Sequence, residues 1–434
     1  MKKTINKFYR VLVLGALMCP LVSCEKEIEN NGEQENEEVI YDNPLEDVVD
    51  VTTTGSVDEL GFSYAVIGGS VDELLLSLDS DVYSCGVEIC DDSTAVTKEF
   101  VATLNGVDFS VLCRDLSPGR EYSYRSFVKY DSIAYYGESK RFATKEFDCE
   151  LVAGDVVSVG NGTATVTFEV QVTSSDEKES WNAGIAYYRY TAGDSLFNFK
   201  DFNYCFQPDF DKNVGMGEVQ LDNLYENSLY YYVAAVKVGD KVWFSDYLEV
   251  FRTKGSLIVD LGLSVDWASC NVGASVSEEF GGYYAWGETK EKNYYSMDTH
   301  LFYMDYRYDE VFNIQGTSYD VAHVKWGNGW RMPTMEEFRE LMSNCDVLLY
   351  EENEVPGCLV LARNGNSIFL PAAGYRDMEY THDIRGKGCY WSATGYDDGC
   401  YGAIDFDFDL NELLMGINAY NSYMGFSVRP VKDK

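Results

Sequence analysis

Hydrophobic and polar positions change texture four times along this chain. A basic start, Lys2, Lys3, Lys7 and Arg10, precedes an apolar run from Val11 to Val22 broken only by Gly15 and Pro20. A run of about 12 residues is too short to cross the ~30 Å hydrocarbon core of a bilayer, so residues 1–23 read as a signal peptide. From Glu25 to Asp50 the chain is dense in Glu, Asn and Asp and nearly free of aromatics. Such a stretch cannot bury enough apolar surface to fold, and residues 24–50 are expected to form a disordered acidic tether.

A repeat follows. Leu116 leads to Tyr122 and Tyr124, then Val128, then Phe142-Ala-Thr144; later Leu224 leads to Tyr230 and Tyr232, then Val236, then Phe251-Arg-Thr253. Leu to Tyr is six residues in both copies, and Tyr to Val is six in both. Upstream, Gly86-Val-Glu-Ile89 and Gly184-Ile-Ala-Tyr187 are candidate matching strands. Side chains alternate across a strand with period two, so Tyr122, Tyr124, Ser126 and Val128 share one face. From Ser256 the texture changes again. Thr334 and Glu337 form an S/T-x-x-E capping box, and Phe338, Leu341 and Met342 then fall at i, i+3, i+4 on one helix face. Pro333, just before the cap, blocks extension backwards.

Composition bounds the rest. Setting leader and tether aside leaves roughly 384 residues, too many for one small core and suited to about three domains. The formal charge is −38, from 34 basic against 72 acidic residues, and loss of the four leader cations takes it to −42. That field would repel a phosphate backbone, so no nucleic-acid partner is expected. Only His300, His323 and His382 are available for imidazole chemistry. Without an acid–base partner nearby in sequence, His323 reads as structural.

Several stretches resemble known families. Leu21-Val22-Ser23-Cys24 resembles the lipobox of bacterial lipoproteins, which implies that Cys24 is acylated with chains such as palmitate and becomes the mature N-terminus. Each buried acyl CH₂ contributes roughly 0.8 kcal/mol, so several chains on one residue make a durable anchor. Glu25, Glu27 and Glu29 resemble the surface-export signal of Bacteroidetes lipoproteins, which implies an outer-membrane, lipid-anchored, cell-surface location. The repeat resembles fibronectin type III or related immunoglobulin-like sandwiches over residues 51–146 and 147–254, with the Leu…Tyr step similar to a tyrosine corner. These tyrosines are expected in core and corner, and the sandwiches are expected to be spacers.

Residues 255–434 resemble the Fibrobacter succinogenes major paralogous domain. The resemblance runs through Val259–Gly273, Gly281–Glu288, Val321–Gly327, Trp330–Thr334, Asn366–Arg376, Tyr390–Ser392 and Ser427–Val431 in order. It implies an α+β fold of the C-type-lectin-like, formylglycine-generating-enzyme-like kind. The expected fold class is therefore multidomain: two all-β sandwiches, then an α+β lectin-like domain.

Candidate chemistry is thin. Formylglycine-generating relatives hold copper with a cysteine pair, and this region has Cys270, Cys345, Cys358, Cys389 and Cys400, but no match to the catalytic motif. Cys389 and Cys400 could bridge if their strands pair. Cys85, Cys90, Cys113, Cys149 and Cys205 complete the mature set besides Cys24, and no pairing is assigned. Asp405, Asp407, Asp409 and Asn411 alternate with Phe406, Phe408 and Leu410, so hard oxygen ligands share a face. The run lacks the glycine and final Glu of an EF-hand, and a solvated acidic face is expected, with no metal and no cofactor. What remains is aromatic recognition: Tyr390, Tyr396, Tyr401, Tyr420 and Tyr423, with Asp397, Asp398, Asn418 and Asn421 as hydrogen-bonding partners. Trp391 reads as structural. The expected function is non-enzymatic binding or adhesion to an extracellular glycan or protein. The alternatives are a purely structural surface-assembly component and a metal-dependent enzyme on the formylglycine-generating-like scaffold.

Overall fold

A computed structural model describes residues 43–131, 133–173, 178–194, 199–302, 313–396, 402–410 and 414–434. In the first repeat, Thr52–Leu60, Ala65–Val71 and Asp108–Cys113 form one antiparallel sheet in that order. The facing sheet runs Thr97–Val101, Tyr83–Asp91, Glu121–Tyr130, and the last of these also pairs with Ile133–Tyr136 and Lys140–Ala143. Tyr122, Tyr124, Ser126 and Val128 are all buried, as the alternation predicts. The tether boundary needs correcting. Leu45 is fully buried in the core of this sandwich, and Asn43 donates through Nδ2 to the Tyr135 hydroxyl at 2.6 Å. Leu45 and partly buried Val48, three residues on, hold this stretch to the core.

The second repeat copies the first strand for strand. Cys149–Val159, Ala164–Val172 and Met216–Leu221 form one sheet; Asn203–Phe206, Asn182–Arg189 and Leu229–Val238 form the other, with Lys241–Phe244 and Glu249–Arg252 both on the last strand. The repeat extends to individual bonds. Tyr122 accepts from the Ser117 amide at 2.7 Å and Tyr230 from the Tyr225 amide at 2.9 Å, each reaching back five residues in a tyrosine corner. Thr144 donates to the Ser117 carbonyl at 2.7 Å and Thr253 to the Tyr225 carbonyl at 2.6 Å, so the Thr of each Phe-x-Thr closes the same corner. Phe142 stacks on Tyr122 and Phe251 on Tyr230, at 5.5 and 5.4 Å. Gly86 and Gly184 also match: a Cβ at either would run into a carbonyl of the neighbouring edge strand, Phe100 or Cys205.

The copies differ in one respect. Along Glu121–Tyr130 polar residues interrupt the outer face, whereas nine of the ten residues in Leu229–Val238 are buried. The outer face of that strand is covered by residues 346–371. Asp346–Glu352, Val355–Leu361 and Ser367–Pro371 form a three-stranded sheet. Its Leu359, Leu361 and Phe369 join Tyr231, Val233, Ala235, Leu229 and Leu248 in one apolar cluster.

Polar contacts fasten the same junction. Arg252, in the position that Ala143 holds in the first copy, bonds the Glu352 carboxylate at 2.9 Å, and the Ser367 hydroxyl and carbonyl at 2.9 Å each. The first junction is polar as well: Glu179 accepts from the Phe62 and Ser63 amides and the Ser63 hydroxyl at 2.7–3.0 Å. Phe147 there lies edge-on to both Phe62 and Trp243.

The described residues of the remaining region are mainly β with two short α-helices, Val321–Trp326 and Met335–Asn344. Its ends are sewn together, because Val265–Ala268 pairs with Val431–Asp433, which also pairs with Trp330–Arg331. The capping box forms: Thr334 accepts from the Glu337 amide and Glu337 from the Thr334 amide, while Phe338 and Leu341 are buried. The terminal Ser-Val-Arg-Pro-Val has a physical reason. Arg429 is fully buried and donates to Asn271 Oδ1 and to the carbonyls of Ala268, Ser269 and Phe369 at 2.8–3.1 Å.

Three layers follow from which way side chains point. The sheet 346–371 turns Leu359 and Phe369 to the second sandwich and Cys358, Val360 and Leu370 inward. Inward they meet Tyr390 and Phe408 of a second sheet, Lys387–Tyr396, Gly402–Asp409 and Leu414–Asn421. Cys389, Trp391 and Ala393 leave that sheet's other face to pack with Tyr284, Trp286, Phe302, Met332 and Phe426. This loop-rich layer is separated from the second sandwich by two sheets.

Candidate functional site

Register brings part of the expected recognition surface together. Tyr396 pairs with Gly402, Gly402 with Asn421, and Ala403 with Tyr420. Asn418 donates to Asp407 Oδ1 at 2.6 Å, Tyr420 to Asp407 Oδ2 at 3.5 Å, and Asn421 to the Tyr423 hydroxyl at 3.3 Å. Asn418 and Asn421 are exposed; Tyr420 and Tyr423 are half-buried against the loop-rich layer, Tyr420 edge-on to Phe426 at 5.5 Å. They fall into two bonded groups, Asn418 and Tyr420 on Asp407 and Asn421 on Tyr423, whose tyrosines both pack on the loop-rich layer. Burial pushes the Asp407 carboxyl up, opposed by its bonds from Asn418 and Tyr420 and by the Lys387 charge.

Tyr390 does not belong to this surface. It is fully buried and donates to the Pro371 carbonyl at 2.7 Å, because strand alternation turns it toward the sheet 346–371. Trp391 beside it is equally buried, stacks on Phe426 at 4.1 Å and donates to the Tyr284 carbonyl at 2.8 Å. Asp397, Asp398 and Tyr401, like the side chain of Tyr396 and Cys24, the residue expected to carry the lipid, lie outside the described residues.

The acidic strand alternates as expected where it is described, with Phe408 buried in the core and Asp407 and Asp409 on the opposite face. Lys387 holds Asp409 at 3.2 Å. Among the described residues no group of three or more His, Cys, Asp or Glu side chains is placed to hold a metal ion. Cys400, which could bridge to buried Cys389 only if their strands pair, is outside the described residues. Burial pushes the Cys113, Cys149 and Cys358 thiols up to about 12 and Cys345 to about 11, which leaves them protonated and unreactive at neutral pH.

His300, unassigned from sequence, is buried beneath the loop-rich layer with Nε2 3.0 Å from the Trp286 carbonyl and Nδ1 3.5 Å from the Ser422 hydroxyl. Burial lowers its pKa. His323 stands exposed on its helix, while its carbonyl accepts from Gly327. The sequence reading passed over an open cleft of ≈ 690 Å³ lined by Trp326, Trp330, Asn328, Leu257, Ser269 and Ser275. Its signal was present in Val-Lys-Trp326 and Trp330-Arg, two tryptophans four residues apart flanking Gly327 and Gly329, both at positive φ.

Comparison with known proteins adds little beyond this geometry. No family model matches the chain, and no curated protein matches it. Among solved structures, the crystal structure of the FN1–FN3 domains of chicken CNTN1 matches at 12% identity, covering 88% of this chain and 99% of that one. The TM-score is 0.21, too low to weigh beside the strand orders and tyrosine corners above.

Proposed function

We propose that this protein is a lipid-anchored recognition protein of the bacterial outer surface. Cys24 is its acyl anchor, the two fibronectin III-like sandwiches are its arm, and residues 255–434, a C-type-lectin-like domain of the Fibrobacter succinogenes major paralogous kind, bind an extracellular glycan or protein. One observation carries the reading: the surface bearing Asn418, Tyr420, Asn421 and Tyr423 sits on the layer farthest from the arm, behind two sheets. A binding face belongs at that end. Exposed amides beside half-buried rings supply directional bonds and flat apolar area together.

The test is a screen of the full chain, in detergent, against glycan arrays and against extracellular proteins from native surfaces. The reading expects saturable binding that Tyr420→Ala combined with Asn421→Ala, or a variant elsewhere on residues 255–434, weakens at least tenfold. Silence in both screens, or turnover of a substrate by the purified chain, contradicts it.

A further inference from the structure

We propose that the cleft between Trp326 and Trp330 is a binding site for neutral sugar rings, with Trp326 as the stacking platform. The inference rests on the recognition reading above and gives it a second location and a ligand class. The cleft volume of ≈ 690 Å³ falls within the range of about 300–1,000 Å³ typical of ligand clefts.

Trp326 differs from the core tryptophans first in exposure, since an open indole N–H is shared by buried Trp181 and Trp267. Trp286 and Trp391 are fully buried, and their indole N–H groups are spent on the Ser392 and Tyr284 carbonyls at 3.0 and 2.8 Å. Among the described residues, the indole N–H groups of Trp326 and Trp330, the Ser269 hydroxyl and the Asn328 amide have no hydrogen-bond partner in the protein. Polar groups left open around an aromatic wall are what a hydroxylated ring with an apolar face requires.

The two indoles meet edge-on, centroids 5.2 Å apart at 87°. Lys432 Nζ stands 5.9 Å from the Trp330 ring centre, and Trp330 is buried, which leaves half-buried Trp326 as the ring that a ligand can cover. Asn328 is held at the lip by a left-handed backbone, φ 48°, between Gly327 and Gly329.

Charge narrows the class. Of all residues in the chain 24% are charged, yet the cleft lining contains no Asp, Glu, Lys, Arg or His. The charges nearest the lining, Lys432 over Trp330 and Glu279 bonded to Ser275, stand at its edge and are of opposite sign, so they favour no net ligand charge, and a neutral pyranose needs none.

The experiment uses the full chain in detergent and titrates neutral gluco-, manno-, galacto- and xylo-oligosaccharides, with heparin as an anionic probe, followed by calorimetry and tryptophan fluorescence. At least one neutral oligosaccharide is expected to bind. Trp326→Ala should weaken it tenfold or more, Trp326→Phe and Asn328→Gly several-fold, and Val157→Ala, exposed on the second sandwich, not at all. Melting curves accompany each variant; if Trp326→Ala fails to fold, Trp326→Phe and Asn328→Gly decide. Neutral-sugar binding indifferent to the cleft variants overturns this site while the recognition reading stands. No neutral-sugar binding, with a surface protein still retained, also overturns it and spares that reading. Heparin binding through the cleft overturns the neutral class.

Discussion

At the scale of single residues, the chain's most exacting positions are those where a buried polar group meets its partners. Arg252 makes bonds to Glu352, Ser367 and Asn227, and its side chain is 2% exposed. Removing only one partner leaves the other charge buried and uncompensated, at a cost of about 3–5 kcal/mol. Arg252→Met should therefore destabilise by that amount in urea denaturation, and the double variant with Glu352→Gln should recover much of the loss. Arg429→Met would strand three carbonyls and the Asn271 side chain, and a loss of at least about 3 kcal/mol is expected. His300 gives a pH dependence. Its folded pKa lies below the ordinary 6.5, so the unfolded chain binds a proton first as pH falls. Stability from this group is complete above about pH 6.5 and declines below it; His300→Gln should flatten that limb of a melting-temperature profile between about pH 7.5 and 5.

At the scale of elements, the two sandwiches show how much a pattern can disclose. The six-residue Leu-to-Tyr step located both tyrosine corners, since only a fixed turn lets a strand tyrosine reach back to the backbone of its own loop. Tyr122→Phe should cost about 1–2 kcal/mol because it strands the buried Ser117 amide, and Tyr230→Phe should cost less, because Tyr225 is exposed and water can reach its amide. The capping box around Thr334 was equally legible, since its two bonds are local. Less legible was the docked face. Glu-Tyr-Ser-Tyr-Arg-Ser in the first copy becomes Leu-Tyr-Tyr-Tyr-Val-Ala in the second, and a strand apolar on both faces is one covered on both sides. That signal was in the sequence, but what covers the strand was not, because the partner lies more than 100 residues downstream. Tyr390 was misread for a related reason: neighbouring aromatics on a strand point to opposite faces, and composition alone does not say which faces are layered over. Leu45 escaped because a single side chain barely alters the texture of an acidic stretch. The Trp326–Trp330 cleft escaped because each tryptophan stood in a stretch read only as framework.

At the scale of the whole molecule, the arm and its terminal domain are not beads on a string. The second sandwich and residues 255–434 share an apolar cluster and a buried ion pair, and Ser367 bonds across to the Asn227 carbonyl through both its amide and its hydroxyl, each at 2.7 Å. Burial of this kind should make the two units one cooperative body and hold the loop-rich layer at a fixed distance from the second sandwich. The anchor is tested separately: Cys24→Ser should abolish acyl labelling and release the chain from membranes. The most direct measurement of the central claim, a recognition surface carried on a fused arm, is native-state hydrogen exchange on the full chain. Amides of Leu229–Val238, Val355–Leu361 and Ser367–Pro371 should open with a common free energy, lowered together by Arg252→Met. If Ser367–Pro371 opens independently of Leu229–Val238, the two units are separately hinged and the claim is wrong.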